Sequence, residues 1–289
     1  MHLTGILRDP TFSPAQHEDN DRMILELTAE QLRRRGCRVT LMQEAEVGLR
    51  SIDTPVVFSM CQGPRANNEL RRLERRGLLV VNSPLAVQSC YRVNLLRLLG
   101  AQATALAPMT IVETDGQSDL TALFADHRTC WVKRGDVHAT QQGDVVRVTG
   151  VEECAHVLAG FRERGVTHAV IQPHIEGEVV KFYGVVGDGF FRFYSERDRK
   201  VAPVAFWSAR PAVERLVQRI GLLVYGGDAV LTEDGQVVVI DINDWPSFAS
   251  FRAEAADAIA QRIQHQATMQ FPERQPVFTV GLSAHHSRR

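Results

Sequence analysis

The chain has 289 residues, of which 44% are hydrophobic and 23% charged, and its formal net charge at pH 7 is -1. A near-neutral chain without a basic tract gives no reason to expect a nucleic-acid partner, and no apolar run approaches the roughly 18 residues that would span a membrane. The five cysteines include no C-x-x-C pair, which argues against a disulfide framework and against a zinc site. The first residues, MHLTGILRDP, lack the apolar core of a signal peptide, so we expect a cytoplasmic protein.

The first third of the chain alternates short apolar runs with amphipathic stretches. Strands are predicted over residues 3–7, 38–42, 56–60 and 78–81, and helices over 20–35, 65–76 and 86–99. This alternation predicts a small open sheet with parallel pairs and with helices over its faces.

Beyond Pro108 the pattern changes to strands joined by glycine-bearing turns. Strands are predicted over residues 109–112, 130–133, 145–148, 169–172 and 179–186, with a helix over 152–164. This part of the chain is typical of antiparallel sheet packed with helices, so a domain boundary is expected near residue 108.

A hairpin is predicted over residues 226–248, GGDAVLTEDGQVVVIDINDWPSF, because two runs rich in Val and Ile flank a turn. Asp241 and Asn243 share one face of the second strand, and the position of the turn sets Asp228 opposite Val239, diagonal to Asp241. Three oxygen donors then converge, as Mg²⁺ prefers. The alternative is that Asp241 and Asn243 are turn residues that end the strand.

Only three of the 33 basic residues are lysine, namely Lys133, Lys181 and Lys200. The first two lie inside apolar runs, where a surface charge is not normally placed. Lysine reaches phosphate oxygens well. A polar loop, RGDVHATQQGD with Gly135 and Gly143, follows Lys133 directly, and such a loop either folds over a phosphate tail or is a plain connection between strands.

In this order the features resemble the ATP-grasp superfamily over nearly the whole chain. WVKRG, at residues 131–135, is similar to the family's strand lysine and the start of its glycine loop. IQPHIEGEVVKFYGVVG, at residues 171–187, is similar to the hinge strand that pairs with adenine. Asp228, Asp241 and Asn243 are similar to the family's acid, acid and Asn metal ligands.

The resemblance implies an α/β plus α+β protein with the ATP-grasp fold, in which two α+β subdomains sandwich ATP. Residues 1–108 would form a pre-ATP-grasp α/β domain. Residues 109–187 would form the central subdomain with the lysine strand, the glycine loop and the adenine hinge, and residues 188–289 the C-terminal subdomain with the metal hairpin.

The resemblance also implies a set of site residues, with ATP and Mg²⁺, or Mn²⁺ in its place, as cofactors. The metal ligands would be Asp228, Asp241 and Asn243. The ATP-binding residues would be Arg92, Lys133, Gln172, His174, Ile175, Glu178 and Lys181. Charge developing in the transition state would be offset by Lys133, Lys181 and Arg197.

Two positions depart from the family's pattern. Gln172 stands where many members have Glu, so the amino group of adenine would meet the Gln172 side-chain oxygen and the backbone near His174 and Ile175. Asp241 stands where relatives commonly have the longer Glu. The ribose contact is open between Glu176 and Glu178, with Glu178 favoured.

The resemblance implies an ATP-dependent ligase that activates a carboxylate as an acylphosphate for capture by an amine. VVKFYGVVG and DINDWPSF also resemble the inositol-phosphate kinase branch, so a kinase acting on a polyol hydroxyl is the alternative, and a non-catalytic nucleotide-binding protein is a third. A small anionic acceptor would be gripped by arginines, for which the candidates are Arg192, Arg197, Arg199 and Arg210. Ser247 and Phe248 either line the acceptor pocket or begin a helix over 251–263.

The expected partners are ATP and that acceptor, with neither nucleic acid nor membrane. A homodimer through the edge of the N-terminal sheet and the helix at 65–76 is one option. The identity of the acceptor stays open.

Overall fold

A computed structural model describes residues 1–13, 18–100, 105–139, 141–187, 189–195 and 204–274, with the backbone alone described for 204–206. Within these residues the strands form three four-stranded sheets. No helix in this part of the chain is both long enough and apolar enough to cross a membrane.

The N-terminal sheet is parallel, as predicted, with strand order β2-β1-β3-β4. Its strands are β1 (His2–Leu7), β2 (Arg38–Gln43), β3 (Val56–Ser59) and β4 (Leu79–Val81). Helices α1 (Glu18–Arg34) and α2 (Pro64–Glu74) connect them. All four residues of β3 are buried, because a parallel sheet in this topology is covered on both faces.

The helix predicted over 86–99 is two helices, α3 (Pro84–Ser89) and α4 (Arg92–Leu99). The prediction of one helix was wrong because Tyr91 has an extended backbone, with φ -63° and ψ 130°. Its hydroxyl donates to Gln62 O at 2.7 Å, a tertiary contact that the local pattern does not report. The break lets α4 begin with Arg92.

The central sheet is antiparallel, with strand order β5-β8-β6-β7. Its strands are β5 (Thr110–Glu113), β6 (Thr129–Arg134), β7 (Val145–Thr149) and β8 (His168–Pro173). Helices α5 (Thr121–Ala125) and α6 (Val151–Glu163) belong to the same region. Side chains such as Val132, Leu158 and Ile171 form a core of its own for this sheet. Because side chains alternate along a strand, Lys133 and Gln172 point to the opposite face.

The third sheet is also antiparallel, with strand order β10-β9-β11-β12. Its strands are β9 (Glu178–Val185), β10 (Phe191–Ser195), β11 (Val224–Leu231) and β12 (Val237–Asp244). Helix α7 (Val204–Ile220) lies between β10 and β11, and α8 (Arg252–Gln270) follows β12 and runs past the predicted residues 251–263.

One hydrophobic core joins the first and third sheets. It contains Phe58 of β3, Val224 of β11 and Ile259 of α8, all fully buried. Asn82 reinforces this contact, since its side chain donates to Val224 O at 2.7 Å and accepts from the N–H groups of Leu223 and Val224 at 2.9 Å. The central sheet has its own core, and Lys133 of β6 joins it to the third sheet by a hydrogen bond of 2.9 Å to Ile240 O. The domain boundaries at residues 108 and 187 stay a prediction.

Candidate active site

The predicted hairpin is formed by β11 and β12, and it brings two carboxylates face to face. Asp228 lies directly opposite Asp241, whereas the turn position predicted that it would lie opposite Val239. The prediction was wrong because the register shifts at this point, leaving Ile240 as an extra residue on β12. Directly opposed Cβ atoms are only about 5 Å apart, so the bulge brings the two carboxylates closer than the diagonal arrangement would.

Two glycines before Asp228 allow this packing. A Cβ on Gly227 would lie 2.2 Å from Asp241 O, and one on Gly226 would lie 2.6 Å from Pro246 Cγ. Real Cβ atoms do not approach so closely, so the sequence Gly-Gly-Asp is required for β11 to lie against the strand that carries Asp241.

Arg92 is the cation that contacts Asp241. Its Nη2 donates to Asp241 Oδ2 at 2.6 Å and its Nη1 donates to Arg134 O at 3.1 Å. The Arg92 side chain is only 4% exposed. Burial by itself would raise the pKa of the Asp241 carboxyl, but Arg92, with Lys133 and His138, holds that pKa below its usual range.

Lys181 is the cation beside Asp228. The two residues are opposite each other on β9 and β11, with Lys181 Nζ 3.5 Å from Asp228 Oδ1. Burial raises the pKa of the Asp228 carboxyl in spite of Lys181, and the charge on Asp241 raises it further. The negative charge of Asp228 is therefore less well compensated than that of Asp241.

Lys133 reaches the same place from the central sheet. It is 5% exposed, and its Nζ donates to Ile240 O at 2.9 Å. Burial lowers the pKa of the Lys133 ammonium to about 8, although the charges of Asp241 and Asp228 oppose that effect. The Lys133 ammonium is therefore close enough to both carboxylates to be influenced by their charges, while its hydrogen bond goes to Ile240 O.

The donor set around Asp228 fits a small hard divalent cation. Asp228, Asp241 and Asn243 all line one cavity of about 370 Å³, and all three offer oxygen. Within the described residues no group of three or more His, Cys, Asp and Glu side chains is arranged to hold a metal. A metal here would therefore need the Asn243 amide and further oxygens from water or phosphate, as Mg²⁺ commonly does.

The predicted adenine hinge lies on β8, on the same face of the central sheet as Lys133. Gln172 is opposite Trp131 of β6 and only 2% exposed. Its Oε1 is buried and has no hydrogen-bond partner in the described part of the chain. Trp131 Nε1 donates to His174 Nδ1 at 3.1 Å, and His174 N donates to Thr129 O, so the His174 backbone N–H already has a partner.

The remaining hinge residues have differing surroundings. Ile175 is half-buried and Glu176 is exposed, with Glu176 Oε1 3.1 Å from His174 Nε2. Glu178 begins β9 and accepts a hydrogen bond from Ser195 Oγ. Which of the two glutamates would contact ribose stays a prediction.

The arginines expected to grip an anionic acceptor are not brought to this cavity where they can be described. Arg192 contacts Glu254 of α8, and Arg210 pairs with Glu214 at 2.8 Å. Neither lines the cavity of the carboxylates, because β10 and α7 direct them elsewhere. Arg197, Arg199 and Lys200 lie outside the described residues.

The other half of the cavity is formed by residues that were not predicted. They are Arg8, Phe12, Asp21, Gln62, His138 and Asp244. Arg8 and Gln62 follow β1 and β3, so the signal available was their position beyond the carboxyl ends of parallel strands, where ligands bind in open α/β sheets. Ser247 lines this cavity, whereas Phe248 is fully buried and packs on Tyr183 with ring centroids 5.3 Å apart.

A larger cavity of about 760 Å³ lies on the other face of the central sheet, lined by apolar residues such as Leu96, Met109 and Ile171. None of the predicted site residues lines it. The polar cavity of Asp228 and Asp241 is therefore the candidate active site.

The fold is similar to that of several solved ATP-grasp structures. D-alanine–D-alanine ligase from Bacillus anthracis complexed with ATP matches with a TM-score of 0.74 and 14% identity, over 94% of this chain and 99% of that chain. A RimK domain ATP-grasp protein from Sphaerobacter thermophilus matches with 0.70 and 19%, over 91% and 99%. The ATP-grasp ligase PsnB complexed with minimal precursor, Mg and ADP matches with 0.61 and 15%, over 92% and 98%.

These similarities cover nearly all of both chains, so the chain has the fold of the ATP-grasp superfamily, as its motifs predicted. No protein-family model matches the sequence, and no curated protein is significantly similar to it.

Proposed function

We propose that the protein is an ATP- and magnesium-dependent ligase that activates a carboxylate as an acylphosphate and transfers the acyl group to an amine. The observation that carries this proposal is the single cavity of about 370 Å³. One half holds the opposed Asp228 and Asp241 with Lys181, and the other half, which we call the acceptor half, is lined by Arg8, Phe12, Asp21, Gln62, His138 and Asp244. A γ phosphate, a carboxylate and a nucleophile can therefore meet in one cavity.

The nucleotide would lie between the central sheet and the β11–β12 hairpin. Gln172 Oε1, a buried acceptor without a partner in the described residues, suits the amino group of adenine. Lys133, bonded to Ile240 O, and Arg92, paired with Asp241, lie close to the carboxylates and would contact phosphate oxygens. The ATP complex of the Bacillus anthracis ligase supports ATP as the nucleotide, and the Mg and ADP complex of PsnB supports the metal.

The first step would be attack of a carboxylate oxygen on the γ phosphorus, breaking the bond to the β-phosphate oxygen and releasing ADP. Bound Mg²⁺ or Mn²⁺, held by Asp228, Asp241 and Asn243, would supply positive charge at the phosphate oxygens. Lys181 would approach the transferred phosphoryl group from β9. These residues would position the reacting groups and neutralise the charge on the phosphate oxygens. Phosphoryl transfer is catalysed mainly in this way.

The second step would be attack of an amine nitrogen on the acyl carbon. The carbon–oxygen bond to phosphate breaks and inorganic phosphate leaves. An amine that binds as an ammonium would lose one proton to solvent before it attacks, and its nitrogen would lose a second proton as the amide forms. No protein nucleophile takes part. The residues of the cavity would exclude water, which would otherwise hydrolyse the acylphosphate.

The kinase alternative has lost part of its support. It needed arginines around an anionic acceptor, and the two candidates that can be described, Arg192 and Arg210, are paired with glutamates outside the cavity. The described acceptor half contains one arginine, Arg8, and it is paired with Asp21 at 2.7 Å.

The test is ATP turnover with Mg²⁺ over a panel of carboxylates and amines, offered singly and together, with both ADP and inorganic phosphate measured. The ligase is expected to release ADP and phosphate in equal amounts only when a carboxylate and an amine are both present. Asp228→Asn serves as the inactive control. ADP without free phosphate, accompanied by a phosphorylated alcohol, would instead identify a kinase, and turnover no higher than that of Asp228→Asn would overturn both.

A further inference from the structure

The acceptor half of the cavity contains three buried hydrogen-bond acceptors that lack a partner among the described residues. They are Asp244 Oδ2, Gln62 Oε1 and a ring nitrogen of His138. Asp244 is 2% exposed and Gln62 is 4% exposed, and all three residues line the cavity. A neutral imidazole has one acceptor nitrogen, and neither His138 nitrogen has a hydrogen-bond partner in the described part of the chain.

These acceptors are held close together. Gln62 Nε2 donates to Asp244 Oδ1 at 2.7 Å, and His138 Nε2 lies 3.4 Å from the same oxygen. Tyr91 fixes both neighbours, because its hydroxyl donates to Gln62 O at 2.7 Å and its ring meets the His138 ring edge-on at 5.7 Å. Glu44 also accepts from Gln62 N at 3.1 Å. These contacts hold Asp244, Gln62 and His138 in defined positions in the cavity.

The charges around the cluster favour a cation. Arg8 and Asp21 neutralise each other, with Arg8 Nη1 2.7 Å from Asp21 Oδ2, and Ser13 Oγ also donates to that oxygen. Asp244 pairs with no Arg or Lys among the residues that the structure describes, and only His138 lies within ion-pair distance. A buried carboxylate with an unpartnered oxygen costs free energy unless a donor completes it.

We propose that Asp244, Gln62 and His138 form the subsite that binds the primary ammonium group of the acceptor amine. This inference rests on the proposed ligase function and names the class of its second substrate. Three acceptors match the three N–H donors of a primary ammonium. The geometry distinguishes Asp244 from Asp21, whose Oδ2 is already occupied by Arg8 and Ser13.

The volume of the cavity limits the size of this amine. About 370 Å³ is shared with the carboxylates of Asp228 and Asp241, and Phe12 and Pro246 also line this space. A free amino acid or a simple alkylamine is small enough for this space. Both sources present the same primary ammonium group.

Isothermal titration calorimetry tests the subsite with the full chain, Mg²⁺ and a non-hydrolysable ATP analogue present. The probes are glycine and ethylamine, each compared with the compound that carries a hydroxyl in place of the amine, glycolate and ethanol. The amine is expected to bind at least about 10-fold more tightly than its hydroxyl counterpart, because a charged donor completes the three acceptors. Binding of glycine but not ethylamine would identify an amino acid, and equal binding a simple amine.

The variants are Asp244→Asn, which keeps the shape and removes the carboxylate, and Glu233→Gln, which removes an exposed carboxylate in the turn of the same hairpin. Asp244→Asn is expected to weaken the amine about 10-fold or more while the ATP analogue binds as it does to the wild type. Glu233→Gln is expected to change neither affinity.

The proposal is overturned if Asp244→Asn binds the amine as well as the wild type, if the hydroxyl compounds bind equally well, or if neither amine binds. These failures differ from failure of the proposed function. If the ATP analogue binds the wild type while both amines fail, only the subsite is wrong. If the ATP analogue itself does not bind, the proposed function is wrong, and the subsite that rests on it is wrong as well.

Discussion

Lys133 of the central sheet and Ile240 of the third sheet are joined by a hydrogen bond of 2.9 Å from the lysine Nζ to the isoleucine carbonyl oxygen. Ile240 is the bulged residue of β12, so its backbone is not part of the regular ladder with β11. One irregularity therefore has two effects, since it brings Asp241 opposite Asp228 and presents a carbonyl to the lysine. ATP phosphates would have to compete with that carbonyl for the Lys133 ammonium.

Burial of Lys133 predicts a specific dependence of stability on pH. Its pKa falls from an ordinary value of 10.5 to about 8 in the folded protein. Between these values the unfolded chain holds a proton that the folded chain has lost, so this residue's contribution to stability rises with pH through that window. In Lys133→Met the contribution is absent. The wild type should therefore gain stability relative to the variant from pH 7 to pH 10, by up to about 3 kcal/mol.

Chemical denaturation of both proteins at four pH values in that range measures this difference, and other titrating groups cancel between them. A difference in unfolding free energy that stays constant from pH 7 to pH 10 would contradict the burial of a charged Lys133. The two proteins also differ in stability at pH 7, because Lys133→Met loses the hydrogen bond to Ile240 O. Only the change of this difference with pH tests the prediction.

Gln172 is expected to affect nucleotide binding and stability in opposite ways. Its Oε1 is buried without a partner in the described residues, so Gln172→Leu removes an unsatisfied acceptor and should leave the ligand-free protein as stable as the wild type or more stable. The same change should weaken an ATP analogue about 10-fold, because the amino group of adenine loses its acceptor. Thermal unfolding and calorimetry measure the two effects.

Gln172→Glu is the matched control, since a carboxylate restores an acceptor oxygen at this position. Retained affinity in Gln172→Glu together with lost affinity in Gln172→Leu assigns the effect to the acceptor. Equal affinity of Gln172→Leu and the wild type would mean that adenine does not contact this side chain.

Gly227 should not tolerate even a methyl group. Its Cβ would lie 2.2 Å from Asp241 O, a backbone atom that cannot move without disturbing the hairpin. Gly227→Ala is therefore expected to cost about 2 kcal/mol of unfolding free energy. In contrast, Gly160 lies inside α6, and a methyl group there would have no atom outside its own helix turn within 4 Å, so Gly160→Ala should stabilise by about 0.5 to 1 kcal/mol. If the two variants shift the denaturation midpoint in the same direction, the close packing of β11 on β12 is not as described.

The sequence could predict that Asp228, Asp241 and Asn243 lie together, but it could not predict the register of the hairpin. Period-2 alternation places Asp241 and Asn243 on one face of a strand, and both do line the cavity. The bulge at Ile240 depends on contacts far away in the sequence. Val239 forms two backbone hydrogen bonds of 2.8 Å, one with Ala105 and one with Ala107. The outer edge of β12 is therefore paired with this separate segment of the chain. No local pattern in the hairpin reports that pairing.

The acceptor half of the cavity was missed for a related reason. Arg8, Gln62 and Asp244 are brought together from three separate parts of the chain by the shared core of the first and third sheets. No helix was predicted over the residues of α7, which contains Pro211, a residue type that normally breaks a helix interior. Parallel pairing in the first sheet and antiparallel pairing in the others were predicted correctly, because helices alternate with strands in the first third of the chain, whereas short turns join β9 to β10 and β11 to β12.

The two opposed carboxylates should respond differently when each is neutralised. Asp241 pairs at 2.6 Å with Arg92, which is 4% exposed, so Asp241→Asn leaves a buried guanidinium without its counter-charge. A loss of about 3 kcal/mol in unfolding free energy is expected. Asp228 lies 3.5 Å from Lys181, which is 36% exposed, and burial already raises the pKa of the Asp228 carboxyl. Asp228→Asn should therefore leave stability unchanged within about 1 kcal/mol or improve it.

Both variants should nevertheless lose Mg²⁺-dependent ATP turnover by about 100-fold or more, because each removes a ligand of the proposed metal. Urea denaturation separates the two stabilities, and ADP release measures turnover. Assays of Asp241→Asn are run below its unfolding temperature, so that lost activity reports the site. Equal destabilisation by the two changes would mean that Arg92 does not depend on Asp241, and full activity in Asp228→Asn would remove Asp228 from the metal site.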